Sequence, residues 1–185
     1  DRGLVSTIDA IDCGHVEGVS KGISLSQTIS MFNPTWQEES HFDTCFDEAV
    51  DFASRVLTRF IASANGGICA KEIVAKAINS AEDPRVIVLE KYIPWKTTVH
   101  ALSEEALFMI YPSESGQWRI QAVPIELGSF EDRKSLPEPW AGLSGKDLEE
   151  VTGIDDAMFC HNGLFIAGAA SFESAMKMAS IALQT

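Results

Sequence analysis

The sequence predicts an α/β (α+β) fold, a mixed sheet with an antiparallel hairpin and helices flanking it. Three observations carry this expectation. Residues 43–63 repeat apolar side chains every three to four positions, the period of a helix with one buried face. "ALFMIYP" and "QWRIQAVPI" are two β-prone runs separated by "SESG", a hairpin signature. In the last third, strand-like "AMFCHN" and "GLFIAGAAS" lead into the helical "FESAMKMASIAL".

The first forty residues have weak periodicity. The stretch "GHVEGVSKGISLSQTISMFNPTW" is rich in Gly, Ser and Thr and breaks at Asn33-Pro34, so it reads as a loop or linker with one short helix near its start. The helix over 43–63 follows, capped by Asp43 or Thr44. Asn65-Gly66-Gly67 predicts its end, because Asn and Gly accept a left-handed backbone. A second helix is expected over 68–81. After Asp83-Pro84, "RVIVLE" is a short β-branched run, the pattern of a strand buried on both faces. "YIPWKTTVHALSEEA" holds a Pro-Trp-Lys corner and one helical turn. In the second hairpin strand Arg119 and Gln121 point to one face, and Trp118, Ile120 and Ala122 to the other. Residues 128–143 contain prolines and form a surface loop. "SGKDLEEVTGI" reads as a short helix with a Ser144/Asp147 capping box and Gly153 as its stop.

The chain has 185 residues, room for one domain with a real core or one domain plus a piece of another. The net charge of −13 opposes broad contact with a phosphate backbone but leaves room for a local basic pocket. No apolar run reaches the roughly 20 residues of a membrane span, and no segment reads as a secretion signal, so the expected location is cytoplasmic. Cys13, Cys45, Cys69 and Cys160 are scattered, without a CxxC pair. They read as buried free thiols rather than a zinc site.

Several residues are candidates for chemistry, each with a plainer reading beside it. His161 and Asn162 end a strand next to Gly163 and Gly168, ahead of a helix starting near Ser171. A strand, a glycine turn and a helix N-terminus together can present N–H groups to an anion. The plainer reading is that the glycines permit turns and His161 is a structural polar group. Arg119 and Gln121 share a strand face, and Arg133 and Lys134 lie in the loop beyond it. Arg suits bidentate contact with phosphate or carboxylate, and the alternative for Arg119 is a salt bridge on an exposed sheet face. Lys96, in a rigid corner, either reaches a ligand or is solvated. Trp95, Trp118 and Trp140 either stack on bases or anchor the core. Asp9, Asp12 and His15 are spaced by three, so one helical face would carry them. They form a metal site, a fragment of one, or a solvated face; three groups fall short of a hydrolytic centre with its open position.

A longer pattern bears on that choice. "IDAID", "FNPTW", "VIVLEKYIPWK", "MIYPSESGQWRIQAVP", "SFEDRKSLPEPWAGL" and "FCHNGLFIAGAASFESAMKMA" occur in this order along nearly the whole chain. This series resembles the melanocyte-proliferating-gene (Myg) family, also called metal-dependent protein hydrolases and related to DHH phosphoesterases. The resemblance implies a two-domain hydrolase whose N-terminal domain holds most of the metal ligands. Residues 1–40 would then be the tail of that DHH-like metal domain and a linker. Residues 41–185 would be the C-terminal substrate-binding domain, similar to a DHH-associated domain. It further implies that Asp9 and Asp12 belong to a partial site for Mn²⁺ or Mg²⁺. His161, Asn162, Gly163 and Gly168 would line the substrate cleft, with Arg119, Gln121, Lys96 and Arg133 on the phosphate or the base-sugar end. The chain departs from the family pattern at Cys13, where Asn is usual, and at Ala167, where Gly is usual.

The implied activity of the intact protein is phosphodiester hydrolysis, 3′-to-5′ exonuclease-like, at RNA or oligonucleotide ends. This chain alone would be inactive and hold no tightly bound metal. Its partners would be the N-terminal metal domain, a short RNA or other phosphorylated substrate, and a second copy in a homodimer, with no membrane. The alternatives are a non-catalytic ligand-binding or dimerisation module, and a small-molecule domain unrelated to phosphoesters.

Overall fold

A computed structural model describes residues 25–39 and 41–185. The chain forms two compact units, Asp1–Ala64 and Asn65–Thr185. The metal-site candidates Asp9, Asp12 and His15, and Cys13 with them, lie outside the described residues.

In the first unit, helix α1 (Leu25–Ser30) arises from the "LSQTIS" stretch. Helix α2 begins at Phe42. The Phe32 and Phe52 rings lie 5.4 Å apart, and an apolar groove is lined by Ile29, Phe32, Phe46 and Val50.

The two helices expected over 43–63 and 68–81 are one: α2 spans Phe42–Asn79. Neither Gly66 nor Gly67 has a positive φ. A glycine stops a helix by adopting the left-handed conformation, not by composition. Held in helical geometry it costs only about 1 kcal/mol against Ala, and the surrounding turns carry the helix through.

The second unit is built on a five-stranded sheet in the order β1-β2-β3-β5-β4. Its strands are β1 (Val86–Val88), β2 (Phe108–Pro112), β3 (Trp118–Ala122), β4 (Ala157–Cys160) and β5 (Ile166–Ala169). β1 and β2 are parallel, joined across α3 (Lys96–Leu102), while every other pair is antiparallel. A parallel pair needs such a crossover, whereas β2 and β3 close through the short loop at 113–117. The mixed sheet, hairpin and flanking helices are those expected from the sequence.

Alternation of side chains divides the sheet into two faces. One face carries Phe108, Ile110, Ile120, Ala122, Ala167 and Ala169 against α5 (Phe172–Gln184), whose Ala175, Met178, Ala179 and Ala182 are buried. The small alanines of β5 let α5 approach closely. On the other face, Ile87, Met109 and Tyr111 pack with Ala70 and Val74 of α2 and with Trp95 and Val99. No residue of β3, β4 or β5 belongs to this second cluster. Beyond β2, that face of the sheet therefore carries a different set of side chains.

Two local expectations are corrected. Helix α4 (Lys146–Thr152) starts from Gly145, at φ 53°, with no side-chain cap. Ser144 lies one residue ahead of the N-cap, in an isolated bridge to Phe159, so the Ser144/Asp147 spacing is out of step with the helix start. The stop at Gly153 does form, in the left-handed region at φ 68°. Cys69 is exposed rather than buried, because the continuous α2 turns it outward, while Cys160 is buried and its thiol is pushed up to about 11 by desolvation. Trp95 and Trp140 are core anchors, and Trp118 packs on Phe172 with ring centroids 4.7 Å apart.

Candidate functional site

The second face of β3 carries Gln117 just before the strand, then Arg119 and Gln121. Register places Tyr111 of β2 on one side of Arg119 and Gly168 of β5 on the other. Phe159 of β4 pairs with Gly168 in turn. The Arg119 guanidinium carbon stands 4.9 Å from the centroid of the Phe159 ring, and Nη2 donates to Gln117 Oε1 at 2.9 Å. Nη1 is buried and has no hydrogen-bond partner. Among the described residues no carboxylate lies within ion-pair distance of Arg119; the pairs are His41–Glu39 and Arg85–Asp83. The salt bridge that was the plainer reading of Arg119 is therefore not found among them.

Gly168 makes this arrangement possible. A Cβ there would lie 2.4 Å from Arg119 Nη1 and 2.7 Å from Phe159 Cε1. Both are far inside contact distance, so the glycine is the gap into which the guanidinium and the ring fit.

Gln121 lies one step further along the same face. Tyr111 Oη donates to its Oε1 at 2.5 Å. Burial, then the neighbouring Tyr92, push the Tyr111 phenol up to about 12, opposed by Arg119, so it remains a protonated donor. Tyr92 is 61% exposed and its ring is 5.2 Å from that of Tyr111.

The β4–β5 turn follows the end of this face, where the Ala122 N–H donates to Phe165 O at 2.8 Å. Within it the Gly163 N–H donates to His161 Nδ1 at 2.9 Å, which leaves the ring proton of neutral His161 on Nε2. The His161 and Phe165 rings are tilted at 54° with centroids 4.5 Å apart, and His161, Asn162 and Gly163 are all exposed. The turn and the N-terminus of α5 lie at opposite ends of β5. That N-terminus is closed by its own groups: Ser171 Oγ accepts from the Ser174 N–H at 3.2 Å, and Asp156 Oδ2 accepts from the Ser171 N–H at 2.9 Å. The strand, glycine turn and helix N-terminus thus do not form one anion-binding loop, because the whole of β5 intervenes.

Lys96 and Arg133 belong to a neighbouring group. Lys96 opens α3, is exposed, and lies 5.9 Å from the centroid of the Trp95 ring. Arg133 Nη1 donates to Ser103 O, Glu104 O and Ala106 O at 2.8, 3.2 and 3.0 Å, tying down the chain that leaves α3. Between them are two residues the sequence reading passed over. Desolvation raises the Asp132 carboxyl to about 6, against the pull of Lys96. His100 Nε2 is buried without a partner; burial, then Arg133 and Lys96, lower its pKa. Tyr111, Phe159 and Gly168 were recognisable as neighbours of Arg119 only through the strand register, which no sequence period encodes.

Comparison with known proteins places this architecture. The model of the family described as MYG1_exonuc, an uncharacterised protein family (UPF0160), matches residues 1–183. The chain belongs to the MYG1 family. Relatives include the MYG1 protein of Saccharomyces cerevisiae, 34% identical over 87% of this chain and 52% of its own length. The Schizosaccharomyces pombe MYG1 protein is 33% identical, over 95% of this chain and 57% of its own length. The protein named MYG1 exonuclease from Homo sapiens is 33% identical over 98% and 54%. The chain spans about half the length of these MYG1 relatives. No solved structure matches it.

Proposed function

We propose that this chain is the ligand-gripping portion of a nuclease-like MYG1 hydrolase, holding the phosphorylated end of an RNA or oligonucleotide on the face built by Arg119 and Gln121. The observation that carries the reading is the Arg119 guanidinium, half-buried over Phe159 and Gly168, with its Nη1 unpartnered and no carboxylate beside it among the described residues. A buried N–H without an acceptor costs about 1–3 kcal/mol. An anionic ligand that accepts from the guanidinium offsets part of that cost, and the fork geometry of Arg suits phosphate oxygens. Relatives named MYG1 exonuclease support the reaction class.

A divalent cation, Mn²⁺ or Mg²⁺, belongs to the same reading, with Asp9 and Asp12 among its ligands. Such an ion, when bound, would supply activation of water for attack on phosphorus. The described residues contain no group of three or more His, Cys, Asp or Glu that could hold one. Their part is to bind and orient: Arg119 and Gln121 grip the ligand, and the exposed Nε2–H of His161 is a donor at the end of the same sheet face.

The experiment is nucleotide release from a short RNA by the full-length gene product with Mn²⁺. A charge-assisted hydrogen bond contributes about 1.5–3 kcal/mol, so Arg119→Gln should raise KM roughly tenfold or more. No release above background with metal confirmed bound, or an Arg119→Gln variant with unchanged KM, would refute the reading.

A further inference from the structure

In the first unit, α2 carries more apolar surface than its neighbour covers. Phe46, Val50, Ala53, Leu57, Phe60 and Ala64 recur at alternating intervals of four and three residues, so they form one stripe along the helix. Helix α1 is six residues long and flanks only the beginning of that stripe, where Ile29 and Phe32 wall the groove beside Phe46, Val50 and Ala53. Beyond it Leu57 is 59% and Phe60 73% exposed. Counting Phe42 and Ile61 beside them, and about 200 Å² for each full side chain, the large apolar residues expose on the order of 700 Å². A monomer seldom leaves more than about 300–600 Å² in one apolar patch, and one partner of a stable interface covers about 800 Å².

The stripe is complementary to itself. Its intervals read the same from either end, so a second copy running antiparallel sets Phe46 against Ala64, Val50 against Phe60 and Ala53 against Leu57. In each layer a large side chain meets a smaller one, which lets the layers interdigitate. A parallel copy would set Phe46 against Phe46 and Ala53 against Ala53, alternating crowded layers with empty ones. Charge favours the antiparallel orientation too. Residues 42–51 hold Asp43, Asp47, Glu48 and Asp51 and no basic residue, while residues 52–64 hold Arg55 and Arg59 and no acidic one. All six are exposed, and none takes part in the ion pairs found among the described residues. Antiparallel pairing lays each acidic half alongside a basic half and opposes the two helix dipoles, whereas parallel pairing lays like on like.

We infer that a second copy of this chain docks on this stripe, the two α2 helices packing antiparallel across a two-fold axis near Arg55. An isologous contact of this kind needs one patch that fits itself. The inference does not depend on the Arg119 grip.

The test is sedimentation velocity of the full-length gene product across the micromolar range, which should show a reversible dimer. Leu57→Glu and Phe60→Glu should each raise its dissociation constant about tenfold or more, as loss of a central apolar contact does. Both side chains are exposed in the single chain, so the melting temperature of the monomer should not change. Thr58→Glu, a polar position off the stripe, should leave the dimer as it is. Orientation is read from nitroxides on the exposed Cys69 in a chain with Cys13 and Cys45 replaced by Ser. Antiparallel helices hold the two labels about 40 Å apart along the axis, while parallel helices hold them side by side within about 20 Å. A monomer at every concentration overturns the inference; a melting temperature lowered in Leu57→Glu would then show that another part of the gene product covers the stripe. A dimer unchanged by both Leu57→Glu and Phe60→Glu, or a short label distance, overturns it as well.

Discussion

Arg119, Phe159 and Gly168 are three residues from three strands, and each is explained by the other two. The guanidinium lies over the aromatic ring because residue 168 has no Cβ to occupy that space. Gly168→Ala should therefore push the ring and the guanidinium aside and destabilise the fold by about 1–3 kcal/mol, as overpacking does. Urea unfolding would measure this, and an unchanged midpoint would show that the face is looser than described. Asp132 gives a second residue-scale test. Its folded pKa of about 6 stands above the ordinary 3.8, so between those values the folded state binds more protons than the unfolded one. Stability from this group is complete below the ordinary value and declines as pH rises through about 6. Asp132→Asn should flatten that part of the stability–pH profile. A slope that persists in the variant would assign it to another group. Of these residues, the alternation of β3 made Arg119 and Gln121 legible in the sequence, since a period of two settles which side chains share a face. Asp132 and His100 were not legible, because their character comes from desolvation by segments distant in sequence.

Helix α2 shows where an element-scale reading succeeds and where it stops. The 3.6-residue period located its first half, but the Asn65-Gly66-Gly67 signal predicted an end that does not occur. Glycine is permissive, so its presence allows a stop without requiring one. A Cβ at Gly66 or Gly67 would meet nothing within 4 Å, and both have helical φ. Gly66→Ala should then stabilise the protein by about 0.5–1 kcal/mol, chiefly by restricting the unfolded chain. Thermal unfolding followed by circular dichroism would show it, and a lowered midpoint would mean the helix breaks there after all. The stop at Gly153 and the helix start near Ser171 were read correctly, because each rests on a local device: a left-handed residue in one case, a side-chain acceptor for Ser174 N–H in the other. The Ser144 capping box failed because the helix starts one residue later, from Gly145, with Ser144 in an isolated bridge to Phe159.

At the scale of the whole molecule, an acidic chain of net charge −13 keeps an arginine with no carboxylate partner among the described residues on a sheet face that the helical cover leaves after β2. The strand order β1-β2-β3-β5-β4 creates that face: it places β3 and β5 side by side and lets Arg119, Gln121 and Gly168 meet. Fold class and strand positions were visible in the sequence because they follow from local periodicity. The order of the strands was not, and with it the identity of Arg119's neighbours. Membership of the MYG1 family and the described geometry then point in the same direction. The central claim is that Arg119 grips phosphate, and the most direct measurement is a crystal structure of the protein soaked with uridine 5′-monophosphate. The account predicts phosphate oxygens within hydrogen-bond distance of the Arg119 guanidinium. Phosphate bound instead beside Lys96 and Arg133, with Arg119 still held only by Gln117, would contradict it.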